Sequence, residues 1–162
     1  MFIHWDSPLR FHPTTLEPST QKGIPVPYYG HYGGPGNSGP GAPVSALDAL
    51  YQAHDNAYGI AQGDNSAQSA ADAQLIQSIF LLDQSGGLSD PEDSLYAGFS
   101  TLAIVGNLAL HDDLDLLGAS LPIVVANAID NWETGLAGAP SEGRGLHGAV
   151  HAFEAHFGDF FF

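Results

Sequence analysis

At 162 residues, 44% of them hydrophobic, the chain has single-domain length and enough apolar material for a core. Its 18 acidic and 3 basic residues give a formal charge of -15, a surface that repels nucleic-acid phosphates and attracts divalent cations, so nucleic acid is not expected as a partner. Cysteine is absent, which removes disulfides, thiolate metal sites and a cysteine nucleophile.

The first residues, MFIHWDSPLRFH, show no basic flank followed by an apolar run, and no stretch approaches the ~18 apolar residues of a membrane span. A soluble protein without a cleavable export signal is expected. Residues 1–27 are broken by Pro8, Pro13, Pro18, Pro25 and Pro27 and read as an irregular N-terminal arm. A loop follows in which Gly30, Gly33, Gly34, Gly36, Gly39 and Gly41 alternate with Pro35, Pro40 and Pro43. Loops of this kind often present carbonyls or amides to a ligand.

From Val44 to about Ile60 the positions Leu47, Leu50, Tyr51, His54 and Tyr58 recur at three and four, which predicts a helix with His54 on its inward face. The turn QGDNS leads to a second helix over about Ala67 to Leu82, where Asp72 shares an apolar stripe with Leu75, Ile76 and Ile79. SDPED offers Ser89 or Asp90 as the cap of a third helix over 91–110. HDDLD then breaks the chain, and Leu116 to Trp132 is apolar and helix-compatible despite Pro122. Residues 135–148 read as a glycine-rich linker before a short final piece ending in GDFFF.

The segment 28–82 concentrates the chemistry. A hard cation such as calcium takes six to eight oxygen ligands, which loop carbonyls and a carboxylate can supply. The stretch Tyr32-Gly33-Gly34-Pro35-Gly36 can curl its carbonyls inward, with Asp55 closing the cage from the helix. His54, about 100° around that helix, faces a cleft beside the ion, where a neutral imidazole takes a proton from water. Asp72, an inward carboxylate on the neighbouring antiparallel helix, is the natural orienter of the imidazole.

The string APVSALDALYQAHDNAY resembles the active-site helix of secreted phospholipases A2, and YGGPGNS resembles the calcium loop of the cysteine-free form found in parvovirus capsid proteins. The shared residues are Tyr32, Gly34, Gly36, Pro43, Asp48, His54, Asp55 and Tyr58, and ADAQL at 71–75 resembles the motif that carries the dyad aspartate, here Asp72. The spacing from His54 to Asp72 is about one helical turn shorter than the resemblance implies.

The resemblance covers 28–82 and implies a mainly α fold: two antiparallel active-site helices preceded by a glycine-rich calcium loop, within a catalytic unit over 28–134. It implies calcium-dependent hydrolysis of the sn-2 ester of glycerophospholipids at a membrane surface. His54 is then the general base, Asp72 its partner and Tyr58 a support for Asp72. Asp55 and the carbonyls of Tyr32, Gly34 and Gly36 hold Ca2+, and the Gly34 amide faces the oxyanion. The alternative is a calcium-dependent lipid-binding or toxin module with little activity.

Four further features carry readings of their own. Asp48 reads as structural. His111, Asp112, Asp113 and Asp115 read as a helix end, not as a second metal site. His147 and His151 stand at zinc spacing without a third ligand and read as a surface pair. GDFFF is either a docking segment or an export tag like those of secreted bacterial proteins, which would fit delivery outside the producing cell.

Overall fold

A computed structural model describes residues 3–4, 10–11, 18–19, 24–25 and 27–138. The protein is mainly helical among these residues. His147, His151 and GDFFF lie outside them, as does most of the expected linker.

The arm carries short strands where an irregular path is expected. β1 (Ile3–His4) pairs antiparallel with β5 (Tyr28–Tyr29), in the register Ile3 to Tyr29. β2 (Arg10–Phe11) lies between β3 (Pro18–Ser19) and β4 (Ile24–Pro25) in a second small sheet. β1 matters for the site because it fixes β5, from which the glycine loop departs.

The first three helices each start on a side-chain cap that satisfies one of their free amides. α1 (Ala46–Ala61) is capped by Ser45, α2 (Asn65–Gln84) by Asp64 and α3 (Pro91–Leu110) by Asp90, with Pro91 in the first turn, where its missing N–H is harmless. Between α1 and α2, Gln62 and Gly63 take left-handed angles and reverse the chain. The segment read as one helix from Leu116 is two pieces. A 3-10 helix, Leu114–Ser120, breaks at Gly118, whose angles are non-helical, and α4 (Leu121–Gly138) begins beyond it with Pro122 in its first turn.

α4 also continues past 134, through glycines read as linker. A Cβ on Gly98 would stand 2.5 Å from Ala128 O, and one on Gly135 would stand 2.4 Å from Leu95 Cα. Those contacts are to backbone, so the antiparallel pair α3 and α4 approach as closely as they do only because both positions are glycine. Residue type here reports packing, not a loop.

The core has two apolar clusters. One joins Ile3, Tyr29, Leu47, Tyr51, Leu75, Leu95 and Tyr96 and contains the aromatic stack of Tyr29 on Tyr96, 5.2 Å between centroids. The other joins Ile76, Val105, Leu108, Leu117 and Val124, from the middle of α2, the C-terminal half of α3, the 3-10 helix and the start of α4. Burial of each large aliphatic side chain contributes roughly 1.5–3 kcal/mol. No helix among the described residues is long and apolar enough to cross a membrane.

Candidate active site

The predicted apolar stripe of α2 turns inward and carries Asp72 with it. Leu75, Ile76 and Ile79 are buried, and the Asp72 side chain is 3% exposed. A carboxylate so placed must be hydrogen-bonded. His54 Nε2 donates to Asp72 Oδ1 at 2.7 Å, and Tyr58 OH donates to the same oxygen at 2.7 Å. His54 and Tyr58 lie four residues apart on one face of α1, with their rings 4.5 Å apart. The short connection between α1 and α2 therefore still brings His54 to Asp72.

The second oxygen is held from an unexpected direction. Asn107 Nδ2 on α3 donates to Asp72 Oδ2 at 3.1 Å. Sequence reasoning missed Asn107, which lies in an apolar helix outside the segment that carries the motif. The one available signal was a lone amide between Gly106 and Leu108, where it interrupts an otherwise apolar run.

Because a carboxylate only accepts, Nε2 of His54 carries the proton in this pair and Nδ1 of the neutral ring holds the lone pair. The His54 side chain is 17% exposed, and with Leu50, Ala53, Ala57, Ala71, Gln74 and Ser78 it lines a cleft of about 60 Å³ between α1 and α2. Burial pushes the Tyr58 hydroxyl far up, and the Asp72 charge beside it adds to the effect, so Tyr58 stays a donor.

Asp55 leaves α1 on the loop side. Ser38 Oγ donates to its Oδ2 at 2.8 Å. Burial raises its pKa above the usual carboxylate range, which the Ser38 hydrogen bond and the neighbouring His54 oppose. No lysine or arginine occurs between residues 27 and 138 to neutralise it.

The loop itself is tightly built. Tyr29 and Gly33 exchange backbone hydrogen bonds at 2.8 Å each, and Asn37 N donates to Gly34 O at 3.0 Å. Gly34 and Gly36 take φ of +114° and +71°, which a side chain would strain. Among the described residues Gly34 N has no acceptor, and the carbonyls of Tyr32 and Gly36 have no donor.

This donor set fits a hard cation: one half-buried carboxylate without a basic partner among the described residues, loop carbonyls of which those of Tyr32 and Gly36 are free and that of Gly34 already accepts from Asn37 N, and no sulfur or imidazole among the assigned ligands. It supplies a single carboxylate, and no group of three or more His, Asp or Glu side chains among the described residues is arranged to hold a metal. His111 is the C-cap of α3, and Asp112, Asp113 and Asp115 follow it. Asp113 there accepts from Ser69 Oγ at 2.6 Å and ties the start of α2 to the end of α3.

Compared with family models, curated proteins and solved structures, the chain matches none.

Proposed function

We propose that the protein is a calcium-dependent phospholipase A2-like hydrolase of glycerophospholipid esters. The observation that carries the reading is the His54–Asp72 hydrogen bond of 2.7 Å, one residue before a carboxylate that faces a glycine loop. An oriented base, a carboxylate for a cation and a free loop amide on adjoining elements are the parts that ester hydrolysis by water requires.

The sequence of events follows from the protonation state. With Nε2 committed to Asp72, Nδ1 of His54 takes a proton from water as the oxygen attacks the ester carbonyl. The imidazolium so formed is stabilised by the Asp72 carboxylate, which Tyr58 and Asn107 hold in place. The Nδ1 proton is then returned to the departing alcohol. The Gly34 N–H, without an acceptor among the described residues, would serve as a donor for the developing oxyanion. Asp55 and the carbonyls of Tyr32, Gly34 and Gly36 would hold the ion, which when bound polarises the ester carbonyl.

Release of fatty acid from phosphatidylcholine, measured in chelator and after add-back of calcium, magnesium or zinc, tests the reading. Activity is expected with calcium alone, since the ligands are all oxygens and mostly carbonyls, a set that suits calcium better than magnesium or zinc. Full activity in chelator refutes the metal role. Vesicle binding without ester release by the calcium-loaded protein refutes the hydrolase and leaves a lipid-binding module.

A further inference from the structure

We propose that Asp48 is a positioning residue that fixes the shape of the glycine loop before any cation arrives. The inference rests on the reading of that loop as a cation site and adds the residue that builds it. Asp48 is 0% exposed, on α1, at a position that reads as structural from sequence. Its carboxylate collects backbone amides from both ends of the loop. His31 N lies 3.1 Å from each of its oxygens, Tyr32 N lies 2.9 Å from Oδ1, and Val44 N lies 3.0 Å from Oδ2. One side chain thus ties the entry of the loop at 31–32 to its exit at 44.

A buried carboxylate is costly unless matched, and with no lysine or arginine between 27 and 138 the match here is made by amides. Successive N–H groups at 31 and 32 form a concavity of the kind that holds anions, and the protein fills it with its own carboxylate. The approach is close. Gly30 has φ +56°, and a Cβ on it would stand 2.5 Å from Asp48 Cγ.

The helix geometry links this pin to the cation site. Asp48 and Asp55 are seven positions apart, which at 100° per residue returns to within about 20° of the same direction, about 10.5 Å along α1. One face of the helix therefore carries two carboxylates with different work. Asp48 takes the amides of 31, 32 and 44, while Asp55 faces Ser38 further round the loop. Among the described residues Gly34 N and the carbonyls of Tyr32 and Gly36 have no partner in the protein, which leaves them open to a ligand.

Amide hydrogen exchange by NMR on the calcium-free protein, with calorimetric titration of calcium into the parent and Asp48→Asn, tests the proposal. In the parent, the amides of His31, Tyr32 and Val44 are expected to exchange far more slowly than those of Gly34 and Gly36. In Asp48→Asn, with helical circular dichroism retained, their protection and the calcium affinity each fall at least tenfold, about 1.4 kcal/mol in binding. The His54 imidazole resonances stay unchanged, because the pin acts on the loop and not on the dyad. A folded Asp48→Asn that binds calcium within twofold of the parent overturns the proposal. So does a parent in which the three amides exchange as fast as Gly36, a measurement that holds even where the variant does not fold. A parent that shows the protected amides yet binds no calcium removes the cation reading and leaves the pin standing.

Discussion

Replacing Asp72 by Asn separates charge from geometry at the dyad. The wild-type carboxylate accepts from His54 and Tyr58 on Oδ1 and from Asn107 on Oδ2. An Asn at 72 that keeps its carbonyl at the Oδ1 position still accepts from His54 and Tyr58. Its amino group then faces Asn107, which turns its own carbonyl inward by an amide flip. The imidazole so retains its orientation and tautomer, and the fold loses little. What is lost is a negative charge about 4 Å from the imidazolium formed during reaction, worth about 4 kcal/mol at an effective dielectric of 20. Turnover is expected to fall by about a thousandfold. His54→Gln, which removes the base itself, should fall further. Calcium affinity should be unchanged in both variants, since neither touches Asp55. The assay is fatty-acid release at saturating calcium, with calorimetry for the ion and imidazole NMR for the tautomer. An Asp72→Asn variant that keeps more than a tenth of parental turnover with the tautomer unaltered refutes an electrostatic role for Asp72.

Gly98→Ala places a methyl against the backbone of α4, 2.5 Å from Ala128 O, and should cost about 1–3 kcal/mol in urea melts, whereas Gly59→Ala, with nothing within 4 Å, should stabilise by about 0.5–1 kcal/mol. Equal effects would argue against the close α3–α4 approach. Burial raises the pKa of Asp93, and the hydrogen bond donated by Tyr29 opposes it. The folded protein thus holds that proton to higher pH than the unfolded chain, so this contribution is complete below the ordinary Asp value and is lost as pH rises through the folded one. Asp93→Asn should flatten that part of the stability curve, leaving the slope of the same sign from Asp55, and an unchanged curve would sink the assignment. Finally, Arg10, Lys22 and Arg144 are too few for the basic face that contributes roughly 1 kcal/mol per residue at anionic lipid, so vesicle binding at fixed calcium should not rise with phosphatidylserine content. A steep rise at low salt would contradict this, unless it vanished on replacing calcium with another divalent ion.

The parts of the site legible in the sequence were those set by local rules. Periodicity placed His54 and Asp72 on inward faces, and capping chemistry located the start of α3 at Ser89 or Asp90, of which Asp90 is the cap. The expected helix over 67–82 was short at both ends: Asp64 caps α2 earlier than the polar run suggests, and the helix runs on to Gln84 before Ser85 caps it. What stayed hidden depends on contacts distant in sequence. Asn107 meets Asp72 from 35 residues away, and no periodic pattern marks an amide whose partner lies on another helix. Gly135 was misread for a related reason: its composition matches a linker, and only the approach of Leu95 explains it as a helix residue.

Asp48 shows how the same residue type takes its meaning from its surroundings. Asp48, Asp55 and Asp72 are identical in side chain and lie on two adjoining helices. Asp48 is fully buried and met by backbone amides, which makes it an anchor for chain geometry. Asp72 is nearly as buried but met by the side chains of His54, Tyr58 and Asn107, so its charge is directed at an imidazole. Asp55 is half-buried and met by the Ser38 hydroxyl, which leaves an oxygen free beside a loop of carbonyls. In a region without lysine or arginine, each carboxylate is stabilised by whichever donors reach it, and under the proposed function the one with fewest among the described residues is the one that would hold the cation.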